Sequence, residues 1–374
     1  MTQHAPNPSA PDPAPGALSH RRRPRYSGKH PRRFDEKYKE HDPARYPETV
    51  AKVIASGKTP AGAHRPIMVA EILGVLVPRP GEIAIDCTLG YGGHAKEILT
   101  RIQPGGRLLG LDTDPIELPK TEARLRALGF DSAVFTVQRT NFAGLPQALA
   151  SAALRGADVI LADLGVSSMQ LDDPARGFST KFEGPLDMRM NPQRGQPVSA
   201  LLARIKPEAL ADLLVANADE PMARPLADAL AGRQLASTRE LAAAIHAALP
   251  QLREQERGLS VRRVFQALRI AANDEFSALE TLLRHLPGCL NPGGRVAILT
   301  FHSGEDRRVK RAFAEGLRLG FYAEITQEPI RPAPAECYAN PRSTAAKLRW
   351  ARQSGKLIDE AVFRFKSPFA QGFS

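Results

Sequence analysis

The stretch Asp86-Cys-Thr-Leu-Gly-Tyr-Gly-Gly-His94 decides the fold of this chain. It follows the apolar residues 83–85 and precedes residues 95–101, which have the composition of a helix. A strand, a glycine turn and a helix in this order form the first unit of a Rossmann-like fold, in which glycines let backbone N–H groups approach a ligand closely. A second apolar run, 108–111, ends in Asp112, where such folds place a carboxylate for ribose hydroxyls. The glycine spacing also fits the looser dinucleotide pattern, so a nicotinamide or flavin enzyme remains open at this point.

The composition indicates a basic protein with a polyanionic partner. The chain has 374 residues, 43% of them hydrophobic, and a formal net charge of +11. Such a charge favours RNA or DNA over a membrane surface. No apolar run approaches the roughly 20 residues of a membrane span, and the spacing of the three cysteines suits neither a zinc site nor a disulfide framework. We therefore expect a cytoplasmic protein without a membrane segment, and with no metal in its chemistry.

The strand and helix patterns divide the chain into four parts. Residues 1–45 are proline-rich and then basic, which predicts a disordered tail that is either solvated or in contact with RNA. In residues 46–171, apolar strands alternate with helices, which predicts the first part of a parallel, doubly wound sheet. Residues 172–275 have almost only helical periodicity and are expected to form an inserted helical domain for RNA recognition. The sheet pattern resumes in residues 276–374, after a turn at Pro292-Gly293-Gly294. Strands are expected there at 295–301, 322–326, 348–351 and 362–365.

Polar residues stand at the ends of the predicted central strands. Asp86, Asp112 and Asp163 each close an apolar strand, and residues 300–303 (Thr-Phe-His-Ser) close the strand that follows the insert. Because the carboxyl ends of parallel strands share one rim of the sheet, we expect the ligand crevice there, beside the insert. A Walker lysine and a strong G-x-S-x-G nucleophile elbow are both missing, which argues against phosphotransferases and hydrolases.

Several motifs along the chain resemble one family of RNA-modifying enzymes. In chain order they are Asp163-Leu-Gly-Val-Ser-Ser-Met-Gln-Leu171, Ala175-Arg-Gly-Phe-Ser179, Gly184-Pro-Leu-Asp-Met-Arg-Met190, Phe265-Gln-Ala-Leu-Arg-Ile270 with Asn273-Asp-Glu275, Gly293-Gly-Arg295, Phe301-His-Ser303 with Glu305-Asp-Arg307, and Asn340-Pro-Arg342. Over about residues 64–352 the chain resembles the RsmH/MraW family of S-adenosylmethionine-dependent methyltransferases. These act on the exocyclic N4 amine of a cytidine in 16S rRNA. The resemblance implies a class I (Rossmann-like) α/β methyltransferase sheet with an inserted all-helical domain, S-adenosyl-L-methionine as cofactor and the small ribosomal subunit as partner.

The resemblance also assigns cofactor contacts along the rim. These fall on Gly92, Gly93, His94, Asp112, Phe142, Asp163 and Gln170. S-adenosylmethionine has no phosphates, so the glycine turn would bind its methionine part, Asp112 its ribose hydroxyls and Phe142 its adenine. The exocyclic nitrogen of cytosine is a poor nucleophile, and an acceptor for its N–H proton would assist methyl transfer. Asp163 is the first candidate for this acceptor, with His302 and Ser303 as weaker ones.

A helix expected from about residue 260 to 274 carries a polar face. Arg262, Gln266, Arg269 and Asn273 share this face at spacings of four, three and four residues. Guanidinium and amide groups suit phosphates and base edges, so the face is predicted to bind RNA. The alternative is that these side chains tie the insert to the sheet domain.

The chain departs from the family pattern at five places. These are Tyr91, Thr113, Asn217-Ala-Asp-Glu220, Leu259-Ser-Val-Arg262 and Gly304. The cofactor positions are retained, so the departures bear on the RNA target more than on the reaction type. Two other functions remain open: an RNA-binding relative without catalytic activity, and a nicotinamide-dependent oxidoreductase. The sequence leaves the oligomeric state open, with a dimer among the choices.

Overall fold

A seven-stranded sheet forms the centre of the computed structural model, which describes residues 66–355. Its strands are β1 (Ile83–Asp86), β2 (Arg107–Asp112), β3 (Phe135–Arg139), β4 (Ala157–Asp163), β5 (Leu290–Thr300), β6 (Tyr322–Ile325) and β7 (Lys347–Gln353). The strand order is β3-β2-β1-β4-β5-β7-β6. The central strands are apolar because both faces of the sheet are covered, and residues 159–162 of β4 are completely buried.

The sheet is mixed, whereas the sequence predicted a parallel one. The first five strands pair in parallel, but β7 runs antiparallel between β5 and β6. The strand periodicity of 322–326 and 348–351 located these two strands without giving their direction. The direction of β7 is set by its pairing with β5 and β6, and the periodicity of a single strand does not encode such pairing.

Helices lie in every connection between consecutive strands, with at least one in each. The described ones are α1 (Val69–Leu76), α2 (Gly93–Ile102), α3 (Glu117–Ala127), α4 (Leu145–Ser151), α5 (Ser168–Asp172), α6 (Val198–Arg204), α7 (Pro207–Ala218), α8 (Ala223–Leu230), α9 (Thr238–Ala248), α10 (Glu254–Asn273), α11 (Glu275–Cys289), α12 (Ser303–Arg318) and α13 (Pro334–Ala339). Each of these helices within residues 66–355 is too short or too polar to cross a lipid bilayer.

The predicted turn at Pro292-Gly293-Gly294 is part of β5 instead. Gly293 has a φ of 74°, and the pairing of β4 with β5 shifts between Ala157 and Val159. A glycine at positive φ lets a strand continue through such an irregularity, so the same residues that predict a turn here form an irregular part of the strand. The strand expected at 362–365 and the tail at 1–45 lie outside the described residues.

The helices between β4 and β5 have a hydrophobic core of their own. Leu202, Leu214, Leu226 and Val264 are fully buried in it, and α10 contributes further apolar side chains at helical spacing. The next helix, α11, packs its leucines into the core of the sheet instead. The change of core falls at Asp274, which has a φ of 50° and separates α10 from α11. The junction between α10 and α11, where the chain passes from one core to the other, therefore lies beside the carboxyl ends of the parallel strands.

Candidate active site

A cavity of about 440 Å³ opens at the carboxyl ends of the parallel strands. Its wall includes the glycine turn after β1, the ends of β2 and β4, and the junction of α10 with α11. This is the rim on which the sequence placed the ligand, and the volume falls in the range of small-molecule sites. Asp112 and Asp163 reach the cavity, as does Phe301, whereas Asp86 is buried beneath it.

The glycine turn is shaped by close contacts that only glycine permits. Gly92 has a φ of 81°, and a Cβ there would lie 2.9 Å from Cγ2 of Thr121. A Cβ at Gly93 would lie 2.9 Å from Cγ of Pro66. Both residues line the cavity. The turn therefore presents backbone at the start of α2, where N–H groups point toward a ligand.

Helix α3 holds this turn from outside. Oγ1 of Thr121 donates a hydrogen bond to the carbonyl of Gly90 over 2.5 Å, and Nη1 of Arg124 donates to the carbonyl of Tyr91 over 2.7 Å. The Arg124 guanidinium also lies 3.5 Å above the Tyr91 ring. The tyrosine at this departure from the family pattern thus has a defined structural role as the stacking partner of Arg124.

Asp112 is oriented by backbone donors. Its Oδ2 accepts from the N–H of Gly90 over 2.8 Å, and its Oδ1 accepts from the N–H of Asp114 over 2.9 Å. Burial raises the pKa of Asp112, and these two hydrogen bonds oppose that rise. Each carboxylate oxygen keeps a further lone pair, so Asp112 can still accept ribose hydroxyls in the cavity.

Gln170 lines the cavity with its polar atoms already engaged. Its Oε1 accepts from the N–H of Ser167 over 3.0 Å, which completes the capping box of α5, and its Nε2 donates to Asp114 over 2.9 Å. Sequence reasoning gave Asp114 and its partner Arg176 no role in the site. Arg176 stands in a quoted motif, but only the fold brings it to the end of β2.

Asp163 is the unsatisfied acceptor of the cavity. No partner for its buried Oδ1 exists within residues 66–355, and its Oδ2 lies 3.6 Å from Nδ1 of His94, too far for a hydrogen bond. Burial, with a smaller contribution from Glu305, raises the pKa of Asp163 to about 7. Burial lowers the pKa of His94, and Nε2 of this neutral ring lies 2.9 Å from the carbonyl of Ile67. Asp163 can therefore gain or lose a proton near neutral pH.

His302 and Ser303 do not line the cavity. The chain turns into α12 at this point, so Nδ1 of His302 accepts the backbone N–H of Glu305 as a helix cap, and the Ser303 hydroxyl bonds Asp219 over 3.3 Å. The structure therefore gives neither residue a catalytic position. Glu305, one turn further on, lines the cavity in their place.

Three of the four residues on the polar face of α10 have partners within the chain. Gln266 donates to the Asn217 carbonyl over 3.1 Å, and Arg269 forms a two-point ion pair with Glu275 at 2.8 and 2.9 Å. Asn273 accepts from a loop N–H of the insert over 2.7 Å and donates to a loop carbonyl over 2.8 Å. The expectation of an open face does not hold for these three side chains, because α7, an insert loop and α11 supply partners for them. RNA binding by this face stays a prediction. Arg262 is exposed.

The cavity suits a cofactor without phosphates. Among residues 66–355, its wall carries six carboxylates, on Asp112, Asp114, Glu117, Asp163, Glu275 and Glu305, against two arginines, Arg269 and Arg342. Such a wall would repel the pyrophosphate of a dinucleotide and favours a sulfonium cation. The glycine turn presents backbone N–H groups at the start of α2, and such groups can bind the carboxylate of an amino acid. The same part of the chain contains no group of three or more His, Cys, Asp or Glu side chains that could hold a metal ion.

The strand order and this site define an S-adenosylmethionine-dependent methyltransferase of class I, as the sequence predicted. Residues 61–354 match the model of the MraW methylase family, and the chain belongs to that family. It is 46% identical over 341 residues to "Ribosomal RNA small subunit methyltransferase H 1" of Lachnoclostridium phytofermentans, covering 89% of this chain and 93% of the relative. It is 49% identical over 340 residues to "Ribosomal RNA small subunit methyltransferase H 2" of Alkaliphilus metalliredigens, covering 88% and 97%.

Solved structures show weaker similarity. TrmN from Thermus thermophilus gives a TM-score of 0.37 at 15% identity, over 76% of this chain and 48% of that one. SMU.1697c from Streptococcus mutans, a putative methyltransferase solved with SAH, gives 0.37 at 11% identity, over 78% and 99%. At these scores the fold assignment rests on the strand order itself.

Proposed function

We propose that this methyltransferase transfers the methyl group of S-adenosylmethionine to the exocyclic N4 amine of a cytidine in 16S rRNA of the small ribosomal subunit, in the cytoplasm. The names of the two relatives refer to small-subunit ribosomal RNA. The observation that carries the choice of an amine is Asp163, which lines the cavity and whose carboxylate oxygens have no hydrogen-bond partner in the described part of the chain. An amine N–H would supply that partner.

The cofactor would be held by the groups around the glycine turn. Gly92 and Gly93 fit its methionine part, Asp112 its ribose hydroxyls and Phe142 its adenine ring, and all four residues line the cavity. When bound, S-adenosylmethionine supplies an electrophilic methyl group. Gln170 and His94 support this arrangement, because their polar atoms bind protein groups that fix the cavity wall.

The chemistry of the chain's own residues centres on Asp163. As a carboxylate it accepts an N–H of the target amine, which orients the nitrogen lone pair and favours the pyramidal geometry of the reacting atom. Once the amine has taken the methyl group from the sulfonium, it would carry one proton in excess, and Asp163 would accept that proton. A pKa of about 7 lets this carboxyl accept the proton and return it to water.

RNA recognition is proposed for the inserted segment, 172–275, and for Arg262 on it. Arg262 is exposed and lines an open groove on the insert with His246 and Gln255. Its guanidinium suits a phosphate of the RNA strand. The target base has to leave its stack to enter the cavity, because the reacting groups lie in the cavity wall beneath the rim.

The test is methyl transfer from radiolabelled S-adenosylmethionine to purified small ribosomal subunits that lack the modification. We expect incorporation into 16S rRNA and N4-methylcytidine in the nuclease digest by mass spectrometry, with large subunits unlabelled. The Asp163→Asn variant should bind the cofactor and lose most of the activity, whereas Asp131→Asn, in an exposed turn, should retain it. Cofactor binding without any incorporation would indicate a catalytically idle RNA-binding relative. Binding of NADH rather than S-adenosylmethionine would indicate an oxidoreductase.

A further inference from the structure

One wall of the cavity is charged and belongs to the junction of the insert with the sheet. We call it the junction wall and define it by Arg269, Asn273, Glu275 and Glu305, all of which line the cavity. The cofactor roles proposed above use none of these four side chains. A cavity that holds both a cofactor and a base needs polar groups for each of them. The junction wall provides polar groups that the proposed cofactor contacts do not use.

Most hydrogen-bonding atoms of the junction wall are engaged. Both polar atoms of the Asn273 amide bind insert loops. Oε2 of Glu305 accepts the N–H of Phe301 over 2.8 Å, and its Oε1 lies 3.2 Å from Nε2 of His302. Arg269 uses Nε and Nη2 on Glu275. Its Nη1 has no hydrogen bond in the structure of residues 66–355, which leaves one charged donor for a ligand.

Arg269, Asp163 and Glu305 line the same cavity. The charge of Glu305 contributes to the raised pKa of Asp163, and the same charge contributes to the raised pKa of Arg269. Glu305 itself remains ionised because its pKa is lowered, against the effect of burial, by His302 and then Arg269. The cavity thus offers a carboxylate acceptor, on Asp163, and a guanidinium donor, on Arg269, to one ligand.

We propose that Arg269 reads the target base by donating from Nη1 to the ring nitrogen N3, while Asp163 accepts from the neighbouring N4 amine. This inference rests on the proposed function. Cytosine presents a donor beside an acceptor on this edge, which complements the pair. Uracil presents O4 and N3–H in the reverse order. The Asp163 acceptor would then face the O4 acceptor, and the Arg269 donor would face the N3–H donor. Arg269 is therefore a specificity residue, and Glu275 positions its guanidinium.

The experiment uses an RNA fragment of the small subunit that the wild-type enzyme methylates, prepared with cytidine or with 3-deazacytidine at the target. The second base keeps the N4 amine and replaces N3 by C–H. We expect the wild-type kcat/KM to fall about tenfold or more on the deaza fragment, as for the loss of one charge-assisted hydrogen bond. Arg269→Lys should lose a similar factor on cytidine, lose nothing further on 3-deazacytidine, and bind S-adenosylhomocysteine with unchanged affinity.

A matched variant distinguishes recognition of the base by Arg269 from a structural effect of the substitution. Glu275→Gln removes the ion pair but keeps the guanidinium, so it should retain a preference for cytidine over 3-deazacytidine that Arg269→Lys lacks. Equal wild-type rates on the two fragments would overturn the inference without any variant, even if Arg269→Lys does not fold. So would an equal loss on both fragments in Arg269→Lys. Failure of the wild-type enzyme on the cytidine fragment would overturn the proposed function and this inference with it.

Discussion

Asp114 and Arg176 form a buried ion pair that joins the end of β2 to the segment after β4. Nη1 of Arg176 donates to Oδ2 of Asp114 over 2.8 Å, and both side chains are almost fully buried. Nη2 of Arg176 donates to the carbonyls of Arg189 and Met190 in the insert. Because Asp114 follows Asp112, the residue proposed for the ribose hydroxyls, by two positions, this pair links that part of the cavity to the insert.

Removal of Arg176 should destabilise the protein strongly. Arg176→Ala leaves the Asp114 carboxylate buried without its charged partner, which costs about 3–5 kcal/mol. Urea unfolding followed by circular dichroism measures this loss. Arg239→Ala is the matched control: its ion pair with Glu183 is exposed, so the change should cost less than about 1 kcal/mol. Similar losses in the two variants would contradict a central role for the buried pair.

Asp112 should contribute to cofactor affinity. Asp112→Ala removes the carboxylate proposed for the ribose hydroxyls and also leaves the N–H groups of Gly90 and Asp114 without their acceptor. We expect S-adenosylmethionine to bind about 1–3 kcal/mol more weakly by calorimetry. Asp131→Ala, which removes a carboxylate from an exposed turn, should leave the affinity unchanged. An unaltered affinity in Asp112→Ala would remove this residue from the site.

The sequence predicts the elements near the site well because they carry strong local signals. The apolar runs of β1, β2 and β4, each closed by an aspartate, and the glycine turn locate the cavity. The direction of β7 and the irregular pairing near Gly293 depend on contacts between distant strands, which periodicity does not encode. His302 and Ser303 are catalytic candidates in the sequence because they follow the end of a strand. Their place in the sequence does not show that the chain begins α12 at this point and that His302 caps this helix.

The polar face of α10 shows the same limit for side chains. Spacing correctly places Arg262, Gln266, Arg269 and Asn273 on one helix, but their partners come from elsewhere in the chain, such as Asn217 and the loop near residue 190. A helical wheel contains no information about such partners. The role of Asp114 and Arg176 was hidden for the same reason, since the two residues are 62 positions apart.

Activity should fall below neutral pH because Asp163 must be ionised to accept the amine proton. Burial, then Glu305, raises the pKa of Asp163 to about 7, so the carboxylate is lost as the pH falls through that value. The pH profile of kcat/KM should therefore have an acidic limb near pH 7. Glu305→Gln removes the neighbouring charge and should move the limb to lower pH, but not to 3.8, because burial remains. An acidic limb at the same pH in Glu305→Gln would show that Glu305 does not raise the pKa of Asp163.

Asp163 should also weaken the fold at alkaline pH. Its folded pKa lies above the unfolded value of 3.8, so between these values the folded state binds more protons than the unfolded state. The stability it contributes is therefore greatest below pH 3.8 and is lost as the pH rises through 7. Asp163→Asn should raise the melting temperature at pH 8 more than at pH 5. A uniform shift across pH would show that the charge of Asp163 is not the cause.

Arg262 should bind RNA without supporting the fold. It is exposed, and the structure shows no ion pair or hydrogen bond for it among residues 66–355. Arg262→Ala should leave the melting temperature and the cofactor affinity unchanged, weaken binding to small-subunit RNA and reduce the salt dependence of that binding by about one phosphate contact. Lys310→Ala removes one exposed charge from α12 as the control and should leave the salt slope unaltered. If both variants bind RNA alike, the groove on the insert does not contact the phosphate backbone through Arg262. If Arg262→Ala melts at a lower temperature, this side chain serves the insert itself.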